Sequence, residues 1–517
     1  MKRLNLVFKM VTFMMIFLCF VTTMFAQNIE LKPNTRGEKI EKSTLEGFTS
    51  TFSFSEIESV KVSTEKGEFS VISMENTVNA GEIGFPSLPI SRELIAVPFG
   101  ASPVVKVVSY STTDYNLSDY DMKRIYPQQP MYRKDTKAED IIFHYNEKAY
   151  NTRSSMGKSP EVTFEILGTM RGVQLGALQV EPIDYNPSSN TIRVYNDIKV
   201  EVVFENADVA KTKEILRASY SPYFDVVYDK MLNNKAVYDV YKNTRADLMS
   251  SPVKMLVIAN RMFETALQPW IQWKTEKGFY LDVQYTDVIG TSATDIQAHI
   301  QQKYEANKPT FVVIVGDEGQ VAPSIDVATT TSCVSDLYYA SVDGDMYPDM
   351  YHSRMSCETT QELINLLDKT LQYEQYTMPD PSYLANALLI AGVDSTYNPM
   401  YGQPQVNYAA DNYFNAANGF ENVYKYLTEY DGCYDKLNSG VGMINYTAHG
   451  FQTRFSDPRF STEDVINLTN KDKYFWAMGN CCLTGDWGYD EPCLGEALIR
   501  GNKRGSWGYI GSCPNTF

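Results

Sequence analysis

Cysteine is missing from a long part of this 517-residue sequence: none falls between residues 27 and 332. Disulfides therefore cannot organise that part. One of the eight cysteines is Cys19. The others are Cys333, Cys357, Cys433, Cys481, Cys482, Cys493 and Cys513. Seven is odd, so at least one thiol has no partner within the chain. Long apolar runs are missing too. After residue 26 no stretch reaches the ~20 residues of a membrane span, so no transmembrane helix is expected. There is no Lys/Arg-rich block, and the net charge is −17 from 63 acidic and 46 basic residues. Nucleic acids and anionic membranes need a concentrated positive patch, so neither is an expected partner. Histidine is scarce, with four in the chain.

What is present begins with an address. Lys2 and Arg3 precede an apolar run from Met10 to Met24, and Ala26 offers a small residue before Gln27. Residues 1–26 read as a secretory signal peptide, which implies a secreted or cell-surface protein. A leftover thiol in such a protein marks a reactive candidate or a buried structural group. Residues 27–245 alternate short apolar-polar runs with turn signals and read as a β-rich domain. Its clearest element, Asn190 to Phe204, is expected to be a hairpin turning at Asn196-Asp197. Residues 207–245 turn helical and charged, like a connector.

From Met255 the texture changes. Continuous apolar strands (Lys254–Ala259, Thr310–Val315, Ala387–Ala391, Gly442–Tyr446, Tyr474–Met478) alternate with helical sequence. This predicts an α/β domain over 246–517, a mainly parallel sheet with helices on both faces. Chemistry in such sheets gathers at the carboxyl ends of strands. His449 follows one strand end and precedes Gly450, which permits close backbone approach. Cys481 and Cys482 follow another, 33 residues on. Side chains alternate along a strand, so only one of these thiols can face His449. An imidazole beside a thiol can hold it as the nucleophilic thiolate. A buried core thiol is the alternative reading.

Asn445-Tyr-Thr-Ala-His-Gly450, Cys482-Leu-Thr-Gly-Asp-Trp487 and Pro492-Cys-Leu-Gly-Glu-Ala-Leu498 resemble the gingipain family of cysteine peptidases, family C25. Val315-Gly-Asp317 and Ser353-Arg-Met-Ser-Cys357 follow in matching order, and Val180 to Pro187 resembles the family's propeptide. The resemblance implies a caspase-like α/β fold and peptide-bond hydrolysis through a thioester, with no catalytic cofactor. It implies Cys482 as nucleophile, His449 as base and Asp394 as the acid orienting the histidine. Cys481 stands where the family commonly has alanine. The N–H groups of Gly450 and Cys482 would form the oxyanion hole, a device typically contributing ~3 kcal/mol.

The resemblance also implies structural calcium, with Asp317, Asp345 and Asp349 as side-chain ligands and Val342 and Tyr347 contributing carbonyls. An acidic solvated turn is the alternative. The propeptide-like region is expected to act as an intramolecular inhibitor or chaperone, released by cleavage at Arg245-Ala246. Gln405 matches the position of the carboxylate that arginine-specific members hold in the primary pocket, and it carries no charge. Protein or peptide substrates are the expected partners. Two other classes stay open: a sortase-like transpeptidase of the same family, and a non-catalytic adhesion protein that keeps the fold.

Overall fold

The computed structural model describes the chain apart from residues 1–26, 34–36, 134–135, 137, 153–155, 243–251, 325–333, 395–397 and 517. The expected processing bond Arg245-Ala246 and the signal segment lie outside the described residues, as does Cys333.

The N-terminal region is built of antiparallel sheets. Strands used below are β1 (Gly47–Ser53), β2 (Ser102–Asn116), β3 (Glu161–Met170), β4 (Val173–Glu181) and β5 (Thr191–Glu205). The expected hairpin within 190–204 is instead the single 15-residue strand β5. Asp197 adopts a positive φ of 47°, which makes a bulge rather than a reversal. Strand β2 pairs with β5 on both sides of this bulge, and its register shifts there. Asn196 completes the joint, accepting from the Phe54 N–H and donating to the Phe54 carbonyl. The described residues 209–242 are mostly helical as expected, but they are more than a connector. Leu216 of α1 (Val209–Ser219), Phe224, Tyr228 and Val237 pack with Val173 and Leu175 of β4.

The α/β part contains the expected parallel strands, distributed over two sheets. The first has the order β7 (Tyr280–Tyr285), β6 (Lys254–Ala259), β8 (Phe311–Val315), β9 (Tyr351–Met355). Its two faces bury alternate residues of the same strands. Met255, Val257 and Val313 pack with α2 (Glu264–Glu276) and α4 (Thr360–Gln375). Leu256, Ile258 and Ile314 pack with α3 (Ala293–Asn307). Because both faces are covered, these strands read as unbroken apolar runs.

The second sheet has the order β11 (Asn422–Tyr426), β10 (Asn386–Ile390), β12 (Met443–Thr447), β13 (Phe475–Asn480), β14 (Ser506–Gly511). Ala387 and Leu389 face α5 (Gln403–Asn412), while Ile444, Tyr446 and Ala477 face α6 (Leu494–Arg500).

Candidate active site

Strands β10, β12 and β13 are adjacent and parallel, so their carboxyl ends open at one edge. Register does the rest. Thr447 of β12 lies opposite Asn480 of β13. His449 and Cys482 each follow that pair by two residues, in the loops that leave these strand ends. Ile390 of β10 lies opposite Tyr446, and Asp394 leaves β10 just beyond. Segments up to 88 positions apart thereby leave their strands at one sheet edge.

His449 Nε2 lies 3.3 Å from Asp394 Oδ2, with both side chains about a quarter to a third exposed. Gly450 draws the histidine loop against the cysteines. A side chain there would sit 2.6 Å from the Cys482 carbonyl and 2.7 Å from Cys481 Sγ. The two cysteines, both buried, have different neighbours. Cys481 is wholly buried in the core beneath the sheet, its Sγ 3.2 Å from Thr484 Oγ1. Cys482 lies beside the chain at Thr516, whose N–H donates to its Sγ at 3.3 Å.

The other thiols are set against reaction. Burial pushes Cys357 up to about 12 and Cys433 up to about 11, and Cys493 is raised further by burial and the Glu496 carboxylate. Cys357, Cys433, Cys481, Cys482 and Cys493 are not disulfide-bonded, whereas Cys513 is.

Two further residues support the histidine loop, Asp457 outside every quoted motif and Tyr446 within Asn445–Gly450. The Asp457 carboxylate accepts from the Val393 N–H at 3.3 Å, in the turn that leads to Asp394. Burial raises its pKa, and the nearby His449 opposes that rise. Tyr446 donates its hydroxyl to the His449 carbonyl at 2.6 Å and accepts from the Asp457 N–H at 2.9 Å. Gln405 reaches the same edge, where its side-chain oxygen accepts from Asn480 at 3.0 Å.

The expected calcium ligands do not form one shell. Asp317 is taken by Arg500 at 2.8 Å. On the loop 343–349, Asp345 accepts from the Thr169 and Tyr347 N–H groups. Asp349 accepts from Arg171 at 2.8 Å and from Val342 at 3.2 Å. Among the described residues no group of three or more His, Cys, Asp or Glu is arranged to hold a metal ion. No helix among them is long and apolar enough to cross a membrane.

Residues 249–517 match the model of peptidase family C25, and residues 28–228 match that of the C25 propeptide. Lys-gingipain of Porphyromonas gingivalis is 44% identical over 506 residues, covering 96% of this chain. Gingipain R1 of the same organism is 27% identical over 500 residues, covering 93% of this chain and 48% of its own length. The chain spans only 29% of the length of the Lys-gingipain it matches. Among solved structures, a protease shares 47% identity over 54% of this chain and 63% of its own, at a TM-score of 0.50. A structure concerning the zymogenic latency of gingipain K from Porphyromonas gingivalis shares 36% identity over 35% of this chain and 100% of its own, at a TM-score of 0.34. With the peptidase model spanning more than half of its residues and the propeptide model most of the remainder, the chain belongs to peptidase family C25.

Proposed function

We propose that this chain is the zymogen of a secreted or cell-surface cysteine-type endopeptidase. The observation that supports the reading is the common register of β12 and β13, from whose ends the His449 and Cys482 loops leave, with Asp394 against His449. Asp394 holds Nε2 of His449, which leaves Nδ1 for the thiol. His449 takes the Cys482 proton as the sulfur attacks the scissile carbonyl carbon. The N–H groups of Gly450 and Cys482 stabilise the oxyanion. The imidazolium then protonates the departing amine, and water hydrolyses the thioester with His449 as base.

A preference for lysine at the cleavage position belongs to the same reading. It draws on the 44% identity with Lys-gingipain, against 27% with gingipain R1. The uncharged pair Gln405 and Asn480 would line that pocket. Residues 27–245 would be the inhibitory propeptide, freed at Arg245-Ala246. Burial raises the pKa of Tyr126 in that region, and Tyr401 of the catalytic part adds to the rise.

Labelling with peptidyl acyloxymethyl ketones tests the mechanism. The secreted chain, activated by cleavage near Arg245, should react through its thiol, faster with a lysyl than an arginyl probe. Cys482→Ala should abolish labelling and Cys481→Ala should keep it. An unlabelled wild-type chain overturns the enzymatic reading.

Structural calcium enters on the resemblance. Burial and mutual repulsion push Asp343 up to about 6 and Asp349 up to about 7, so the loop crowds carboxylates that a cation would relieve. The ion would have to share Asp345 and Asp349 with the N–H groups that hold them. Excess EGTA should then lower the melting temperature of the intact chain by several degrees. An unchanged melt removes calcium from the reading.

A further inference from the structure

The N-terminal region also grips the first parallel sheet, at the end opposite to strand carboxyl termini. The hairpin between β3 and β4 turns at Arg171-Gly172, both with positive φ (51° and 73°). It fits the loop 343–349 closely. A side chain at Gly168 would meet the Asp345 carboxylate and the Tyr347 ring at 2.6 Å. The backbone N–H groups of Thr169 and Arg171 donate to Asp345 and Asp349.

From this turn the Arg171 side chain enters a socket and is 2% exposed. Its Nε donates to the Ser219 carbonyl at 2.7 Å. Its Nη1 donates to the carbonyls of Pro309 and of Asp349, the latter at 3.2 Å. Its Nη2 donates to the Lys308 carbonyl at 2.8 Å and to Thr310 Oγ1 at 3.4 Å. The guanidinium stands 5.5 Å from the Phe224 ring centre and 5.8 Å from that of Tyr304. Residues 308–310 lead into the first residue of β8, so the socket is at the amino end of that strand.

Around it lie softer contacts. Tyr351 donates its hydroxyl to the Tyr223 carbonyl at 2.8 Å, and Phe224 packs on Tyr351 with ring centres 4.7 Å apart. A fully desolvated arginine ringed by aromatic contacts is the composition in which binding energy concentrates. Truncating it in the docked state would leave the buried Pro309 and Asp349 carbonyls without these donors.

We propose that Arg171 is the anchor that keeps the N-terminal region bound to the catalytic part after the connecting chain is cut. Severing the chain and shedding the inhibitor are then two separate steps. The consequence rests on the zymogen reading above; the docking does not.

The test uses the full chain carrying Cys482→Ala, with a site for a sequence-specific protease inserted after Arg245. After cutting, the two pieces should co-elute on gel filtration. In the Arg171→Ala version they should separate, with dissociation faster by roughly 30-fold or more, the scale of an interface hot spot. Arg171→Lys keeps the charge but loses the forked geometry, and should fall between the two. The melting curve of the uncut Arg171→Ala chain reports whether it folds. If it folds and its cut pieces part no faster than wild type, the proposal is overturned. If it does not fold, Arg171→Lys decides: faster dissociation supports the anchor, and an unchanged rate overturns it. Failure of the peptidase reading would show in probe labelling of the Cys482 chain and would leave these rates untouched.

Discussion

Gly450 has no side chain, and the place where one would go is already occupied by the Cys482 carbonyl and the Cys481 sulfur. Gly450→Ala must push the histidine loop away from the cysteine loop by a good part of an ångström. Misplacement on that scale costs about 10²-fold in rate. Labelling of Cys482 should slow by that factor while the melting curve changes far less; an unchanged labelling rate would show that the loops are not held in contact. The need for a small residue here was legible, since glycine follows the histidine directly. Asp457 was not. It acts on the backbone of Val393, 64 positions away, and no spacing rule announces a hydrogen bond of that kind. The partner of Asp317 was hidden for the same reason. Its carboxylate belongs to Arg500, 183 positions on, and a strand-end aspartate carries no mark of that partner.

Elements were readable where burial is two-sided. The apolar runs that begin β6, β8, β10, β12 and β13 each became strands within a residue or two of the expected bounds. Strand β11 escaped notice. It lies at the edge of its sheet and has no fully buried residue: Val423, Tyr424 and Tyr426 are half-buried, and Asn422 and Lys425 are exposed. The Asn196-Asp197 pair shows how turn chemistry misleads. Both residues favour reversals, yet the left-handed Asp197 is absorbed as a bulge because β2 is long enough to pair past it. Division of the parallel strands into two sheets was also hidden. Each strand reads the same whether its neighbours form one sheet or two.

The whole α/β part is fastened by charge as well as by its apolar layers. Arg500, 7% exposed, ends α6 under the second sheet. It reaches Asp317 just past β8 and Glu358 just past β9 of the first sheet, at 2.8 and 3.0 Å, and also Glu496 of its own helix at 2.5 Å. Arg500→Ala would leave Glu496 and Asp317 facing each other without a cation. Breaking a buried pair in this way costs about 3–5 kcal/mol. Chemical denaturation should show that loss, and a cost below 1 kcal/mol would mean that the sheets are held by apolar contact alone. Helix α4 adds a second clasp. Lys369, 1% exposed, donates to the Leu498 and Arg504 carbonyls at 3.0 Å each, and Tyr373 stacks on Trp507 of β14 at 4.0 Å.

The order of these parts along the chain has a consequence in time. Translation runs from the amino end, so the hairpin bearing Arg171 is made before its socket. That socket is complete once Asp349 has been added. Asp394, His449 and Cys482 have not yet been synthesised at that moment. A chain that folds as it is made would thus set its own restraint in place before the groups it restrains exist, and no molecule need pass through an unguarded state on the way.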